Sequence, residues 1–240
     1  MTLLARTSRP MDTEHLTLRR MGVQDLDFVL EQHKMHFPDN VFHRLGPRML
    51  QCYYRTFLDS NHAVALVALI DGHPSGYLTG VLDTVRHRQL VKQFHKSSLA
   101  VASLLAALRH PLLAAGLVRR RVQVNRRPNS KQPDAPTVTA VLSHVAVQTS
   151  RQRLGSGSAL VDAFLDHCRA VQSSEVWVAT ADDPEPSERL YLRRGFTLTG
   201  RDRTFDGRWI RLYKLDLDIR QRVVSEPETG KNHDDSGASS

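Results

Sequence analysis

Cysteine is nearly absent from this chain of 240 residues, with Cys52 and Cys168 as its only two. So sparse a supply excludes a disulfide-stapled scaffold, suits a reducing compartment and leaves no cysteine spacing for a metal centre, so no metal is expected. Neither cysteine is placed as an obvious nucleophile. Long apolar runs are missing too. The first ten residues hold only Leu3, Leu4 and Ala5 together, far short of a secretory core. The most apolar stretch, Ser97 to Val118, carries Arg109, His110 and Pro111 at its centre, which divides it into pieces too short to cross a bilayer as helices. The chain therefore reads as soluble and cytoplasmic. No internal repeat is visible. The composition, 40% apolar and 24% charged, is globular, and the length favours one domain with extra segments.

A third absence is local. Between Val85 and Pro133 there is no Asp or Glu, while eleven Lys or Arg occur, among them the run Arg119-Arg120-Arg121. The whole chain carries a formal +8, so everything outside this stretch sums to −3. Such a field attracts phosphates, nucleic acid or an anionic membrane, and composition alone does not choose among them; a solvated basic insertion is the plainer reading.

Periodicity supplies the organisation. Leu16 to Arg20 alternates as a strand, and Gly22 ends it. Apolar spacing predicts helices over Val23 to Phe37 and from Pro47 to Leu58, where proline suits the first turn. Strands over Ala63 to Ile70 and Ser75 to Leu82 flank the turn Asp71-Gly72-His73-Pro74. The acid-free stretch follows as helical pieces and a proline-rich loop. Then come a strand from Thr137 to Gln148, a helix from Ser156 to Val171, a strand from Glu175 to Thr180, a short helix over Ser187 to Arg194, and strands over Phe196 to Thr199 and Trp209 to Leu217. The polar remainder reads as disordered. This order predicts an α/β (α+β) domain with a mixed central sheet and flanking helices over 15–217, a basic helical insertion at 85–136, a flexible leader at 1–14 and a disordered tail at 218–240.

The richest window is Val145-Ala146-Val147 followed by Gln152, Arg153, Leu154, Gly155, Ser156, Gly157 and Ser158. A strand ends, a glycine-bearing loop follows, and an apolar-periodic helix begins. Backbone N–H groups there, with the positive end of the helix dipole, make a pocket for phosphate oxygens, and glycine permits close backbone approach. The spacing Gln152-x-x-Gly155-x-Gly157 after Val145-Ala146-Val147 resembles the acetyl-CoA signature of the GNAT acetyltransferase family. Downstream, Tyr191-x-x-x-Gly195-Phe196 is similar to that family's helix-end pattern, in the expected order and with a strand between the two. The element order from Leu16 to Leu217 also fits the GNAT acyl-CoA N-acyltransferase fold. One departure is Glu185, six residues before Tyr191, where the family often has asparagine.

The resemblance implies roles. Val145 N–H would polarise the thioester carbonyl, Ala146 and Val147 would run beside the pantetheine arm, and Gln152 to Ser158 would hold the pyrophosphate of acetyl-CoA as co-substrate. Tyr191 would protonate the departing thiolate. Attack by an amine, mostly protonated at neutral pH because its pKa lies near ~10.4, needs a base. His144 is the candidate, with an imidazole pKa near ~6.5. The family more often places its base at neighbouring positions, here Ser143 and Val141, so His144 reaches the site only if a bulge restores its face. Core packing is the competing role for both Tyr191 and His144. The expected function is N-acetylation of a primary amine of a small molecule such as an amino sugar, by direct attack in a ternary complex. A non-catalytic acyl-CoA-binding module and a protein N-terminal or lysine acetyltransferase are the alternatives. An anionic acceptor, peripheral membrane contact through the insertion and a homodimer stay open; nucleic acid ranks last.

Overall fold

The computed structural model describes residues 15–38, 40, 46–94, 138–182, 186–204 and 207–217. The leader, the insertion beyond Phe94, Glu185 and the tail lie outside the described residues. The strands are β1 (Leu16–Arg20), β2 (Ala63–Ile70), β3 (His73–Val81), β4 (Thr139–Val147), β5 (Glu175–Ala181), β6 (Thr197–Arg203) and β7 (Trp209–Asp216). They form one sheet in the order β1-β2-β3-β4-β5-β7-β6. Every neighbouring pair is antiparallel except β4 with β5. The helices are α1 (Leu26–His36), α2 (Pro47–Leu58), α3 (Thr84–Phe94), α4 (Ser156–Ala170) and α5 (Pro186–Leu192). This is the mixed sheet with flanking helices that the element order predicted.

Two cores sandwich the sheet. On β2 the residues Val64, Leu66 and Ala68 belong to one and Ala65 and Val67 to the other, which is why its sequence, AVALVALI, is apolar throughout. The first core takes Leu160, Phe164 and Cys168 from α4 and Tyr191 from α5. The second takes Leu26 and Val29 from α1 and Leu50, Tyr54 and Phe57 from α2. Gly80 on β3 makes room for α4, because a Cβ there would lie 2.3 Å from Cε2 of Phe164.

Three boundaries differ from expectation. Asp71 (φ 51°) and Gly72 (φ 78°) close the β2–β3 hairpin with two residues, so β3 starts at His73 and absorbs Pro74 opposite Leu69, where the register shifts. The last helix stops at Leu192. β6 extends to Arg203 instead of ending at Thr199; it is an edge strand, mostly exposed on both faces, and such a strand leaves no apolar alternation to read.

Candidate active site

β4 and β5 pair only from Thr139↔Glu175 to Leu142↔Val178. Beyond that point β4 stays with β3 as far as Val147, while β5 stays with β7 as far as Ala181, so the two parallel strands part and leave a gap. A bulge marks the parting. Thr79 faces His144 and Gly80 faces Leu142, which leaves Ser143 as the extra residue. The bulge changes the face of β4: Ala140 and Leu142 join the α4 core, whereas Ala146 joins the α1/α2 core and His144 meets rings from α1 and α2. Unbroken alternation would have kept all four on one side. Gln148 N–H donates to Ser75 O at 2.8 Å, so by the antiparallel pattern the N–H groups of Val145 and Val147 turn to the opposite edge, toward the gap.

The loop after β4 is built for an anion. Thr149–Arg151 forms one 3-10 turn, pinned by the Arg151 guanidinium donating to Ile70 O at 3.1 Å. Arg153 (φ 70°) and Gly155 (φ 85°) then take left-handed conformations that turn the chain into α4. Glycine suits the second of these, since other L-residues are strained there. Ser156 opens α4 fully buried; its hydroxyl lies 3.1 Å from that of Ser75, which donates to Ala68 O at 3.1 Å. The N–H groups of the first helical turn have no intrahelical acceptors and therefore point at whatever anion occupies the loop. Gly157 is not demanded by the protein's own packing, because a Cβ there would make only an ordinary 3.5 Å contact with Val147 Cγ2. Its bareness leaves the floor open to a ligand.

A groove of about 680 Å³ runs along these elements. Val145, Ala146, Val147, Gln152, Arg153 and the residues from Gly155 to Ser158 border it. Leu154 is not in the lining; it is exposed beside it. α5 supplies the other wall through Ser187, Arg189 and Leu190, the turn after it adds Arg193 and Arg194, and His36 at the end of α1 completes it. None of these six was read from the sequence. The i, i+3, i+7 spacing of Ser187, Leu190 and Arg194 was the available signal for one helical face. Arg194 locks α5 to α4: its guanidinium grips Asp162 through bonds of 2.6 and 2.8 Å and donates to Ser158 O and Leu190 O.

The two expected catalytic side chains lie deeper. His144 is 7% exposed, ringed by His33, Phe37, Tyr53 and Tyr54 at centroid distances of 5.0 to 6.0 Å, and does not border the groove. Its Nε2 stands 3.4 Å from Asn40 Nδ2 and its Nδ1 3.5 Å from the Tyr53 hydroxyl. Burial, with His33 beside it, pushes its pKa down to about 3, so it is neutral at physiological pH. Behind it the Tyr54 hydroxyl bridges His33 Nδ1 at 2.7 Å and the Tyr77 hydroxyl at 2.8 Å. Tyr191 is 3% exposed, its ring 5.6 Å from that of Phe196 and 6.5 Å from that of Tyr213. Its neighbour Leu190 borders the groove; Tyr191 does not. Among the described residues there is no group of three His, Cys, Asp or Glu able to hold a metal, and no helix long and apolar enough to cross a membrane.

A sheet parted between two parallel strands, with a glycine turn and helix N-terminus at its mouth, is the arrangement that the resemblance to the GNAT acetyltransferases implied. Residues 118–196 match the family model described as the Acetyltransferase (GNAT) family. No curated protein matches the sequence. Among solved structures, Arabidopsis thaliana NAA60 in complex with acetyl-CoA is 11% identical, with a TM-score of 0.56, over 85% of this chain and 99% of its own. Ard1 from Thermoplasma volcanium is 17% identical, with a TM-score of 0.54, over 84% and 97%. The ribosomal-protein-S18-alanine N-acetyltransferase from Escherichia coli is 14% identical, with a TM-score of 0.50, over 84% and 94%. At these identities the likeness to solved structures is one of fold, and the matched segment carries the family. The chain thus carries a segment that matches the GNAT acetyltransferase family, within a fold shared with solved N-acetyltransferases.

Proposed function

We propose that the protein moves the acetyl group of acetyl-CoA to a primary amine of a small molecule, such as an amino sugar, by direct attack in a ternary complex. The observation that carries this reading is the groove from the Gly155 turn along Val147 and Val145, the part of β4 that has parted from β5. In this reading the pyrophosphate rests on the loop and the first turn of α4, and the arm lies along β4. The thioester carbonyl accepts a hydrogen bond from Val145 N–H, which stabilises the charge that develops on its oxygen. The amine nitrogen attacks the carbonyl carbon; the C–N bond forms, the C–S bond breaks, and the thiolate leaves. Tyr191 supplies the proton to that sulfur, on the strength of its place in the Tyr-x-x-x-Gly-Phe pattern. His144, on the strand carrying the oxyanion donor, is one candidate for the base. The acid-free stretch, which opens with Arg86, Arg88 and Lys92 on α3, favours an anionic acceptor.

A second reading, N-terminal acetylation of a protein, draws on the fold likeness to the S18-alanine acetyltransferase. Thiol release from acetyl-CoA with glucosamine, glucosamine 6-phosphate and an alanine-ended peptide separates the two. Faster release with the amino sugars supports the small-molecule reading, and release with the peptide alone overturns it. Binding of acetyl-CoA without release for any amine favours a non-catalytic module.

A further inference from the structure

We propose that His36, rather than His144, takes the proton from the attacking amine; the inference rests on the acetyl-transfer reading above. His36 is the last residue of α1 and borders the groove together with Val145 and Ala146. α1 packs on the sheet face opposite α4, so His36 flanks the gap from the side away from the helix that would hold the pyrophosphate. Its Nε2 is buried and has no hydrogen-bond partner among the described residues. Buried ring nitrogens are rarely left so, and a partner arriving in the groove would satisfy it.

Elimination supports the assignment. The described lining contains no Asp, Glu, Lys, Tyr or Cys. Its charged members are Arg153, Arg189, Arg193 and Arg194, and a guanidinium does not give up its proton in a protein. Among the described lining residues His36 is the one imidazole, the side-chain type most used as a general base. His144 does not border the groove and has four rings around it. The elements packed against α1 carry Arg48, Cys52, Tyr53, Tyr54 and Arg55 on α2, His73 and Tyr77 on β3, His144 on β4 and Asp25 in the 3-10 turn before α1, with His33 one turn back on α1 itself. No carboxylate among the described groove residues competes for the proton. In the step, Nε2 of His36 receives the proton as the amine nitrogen bonds to the carbonyl carbon, and the thiolate leaves toward the acid side.

Two readouts test this with the full chain. The first needs no acceptor: S-bromoacetyl-CoA carries an electrophilic methylene where the acetyl group sits. The imidazole nitrogen closest to it displaces bromide and forms a C–N bond, and peptide mass spectrometry locates the label. The expected label is on His36, absent from His36→Gln and retained in His144→Gln. The second uses glucosamine or the alanine-ended peptide, whichever turns over. His36→Gln is expected to lower kcat about 100-fold and to abolish the acidic limb of the kcat/KM profile, with acetyl-CoA affinity within about twofold of wild type. Acetyl-CoA binding with the label on another residue, or unchanged turnover and acidic limb in His36→Gln, overturns the assignment alone. Failure of the wild type to bind acetyl-CoA overturns the donor reading and this inference with it.

Discussion

Acid should destabilise the protein through His144, and replacing that residue should remove most of the effect. In the folded chain the imidazole is enclosed by four rings, its nitrogens meet only Asn40 and Tyr53 at 3.4 and 3.5 Å, and its pKa is held at about 3. Unfolded, the same imidazole titrates near ~6.5. The unfolded state therefore binds this proton first. Stability is full above the unfolded pKa and falls as pH drops from about 6.5 toward 3, the sign expected of a histidine buried neutral. Between pH 7 and pH 5 the loss is roughly 2 kcal/mol, a gap of about 1.5 units at ~1.4 kcal/mol each. Urea unfolding of wild type and His144→Gln at both pH values measures it. His33, 5.0 Å away, is present in both proteins, so the difference between them isolates His144. Equal acid losses in the two proteins, or a wild-type loss below about 0.5 kcal/mol, would refute the burial argument.

Other substitutions probe the groove and the packing that shapes it. Gly155→Glu places a side chain and a negative charge at a left-handed turn, and should abolish acetyl-CoA binding in calorimetry, whereas Gly155→Ala should cost about 1–2 kcal/mol of stability from the backbone alone. Tyr191→Phe keeps the ring against Phe196 and removes only the hydroxyl, so turnover should fall roughly 100-fold while acetyl-CoA affinity and melting temperature hardly move; equal loss of binding would argue for a packing role alone. Gly80→Ala forces a methyl group onto the buried Phe164 ring and should destabilise by about 1–3 kcal/mol in urea unfolding, with no direct contact to the donor loop.

Much of the fold was legible because local physics agreed with the global arrangement. Pro47 at the first turn of α2, the doubly apolar β2, and the strand-turn-helix at Val147 to Ser158 all announce themselves in the chain. The strand, loop and helix N-terminus that border one side of the groove were legible for the same reason, since they are contiguous in sequence. The rest depends on distance. His36 shares the groove with Val145 only because α1 packs across a sheet whose strands come from both ends of the chain, and no spacing rule encodes that juxtaposition. The face of His144 was open until the bulge at Ser143 was seen, because a single extra residue reverses every side chain after it. β6 was cut short because charged residues on an exposed edge, Arg201, Asp202 and Arg203, look like a turn when no burial constrains them.

The most direct test of the account is amine-dependent thiol release from acetyl-CoA by wild type and Gly155→Glu, with acetyl-CoA binding measured on the same samples. Saturable release that requires both amine and protein, and that disappears with donor binding in Gly155→Glu, is the predicted result. Release that survives in Gly155→Glu with donor affinity intact would contradict it, because acetyl-CoA would then not be held by the turn at the mouth of the β4–β5 gap.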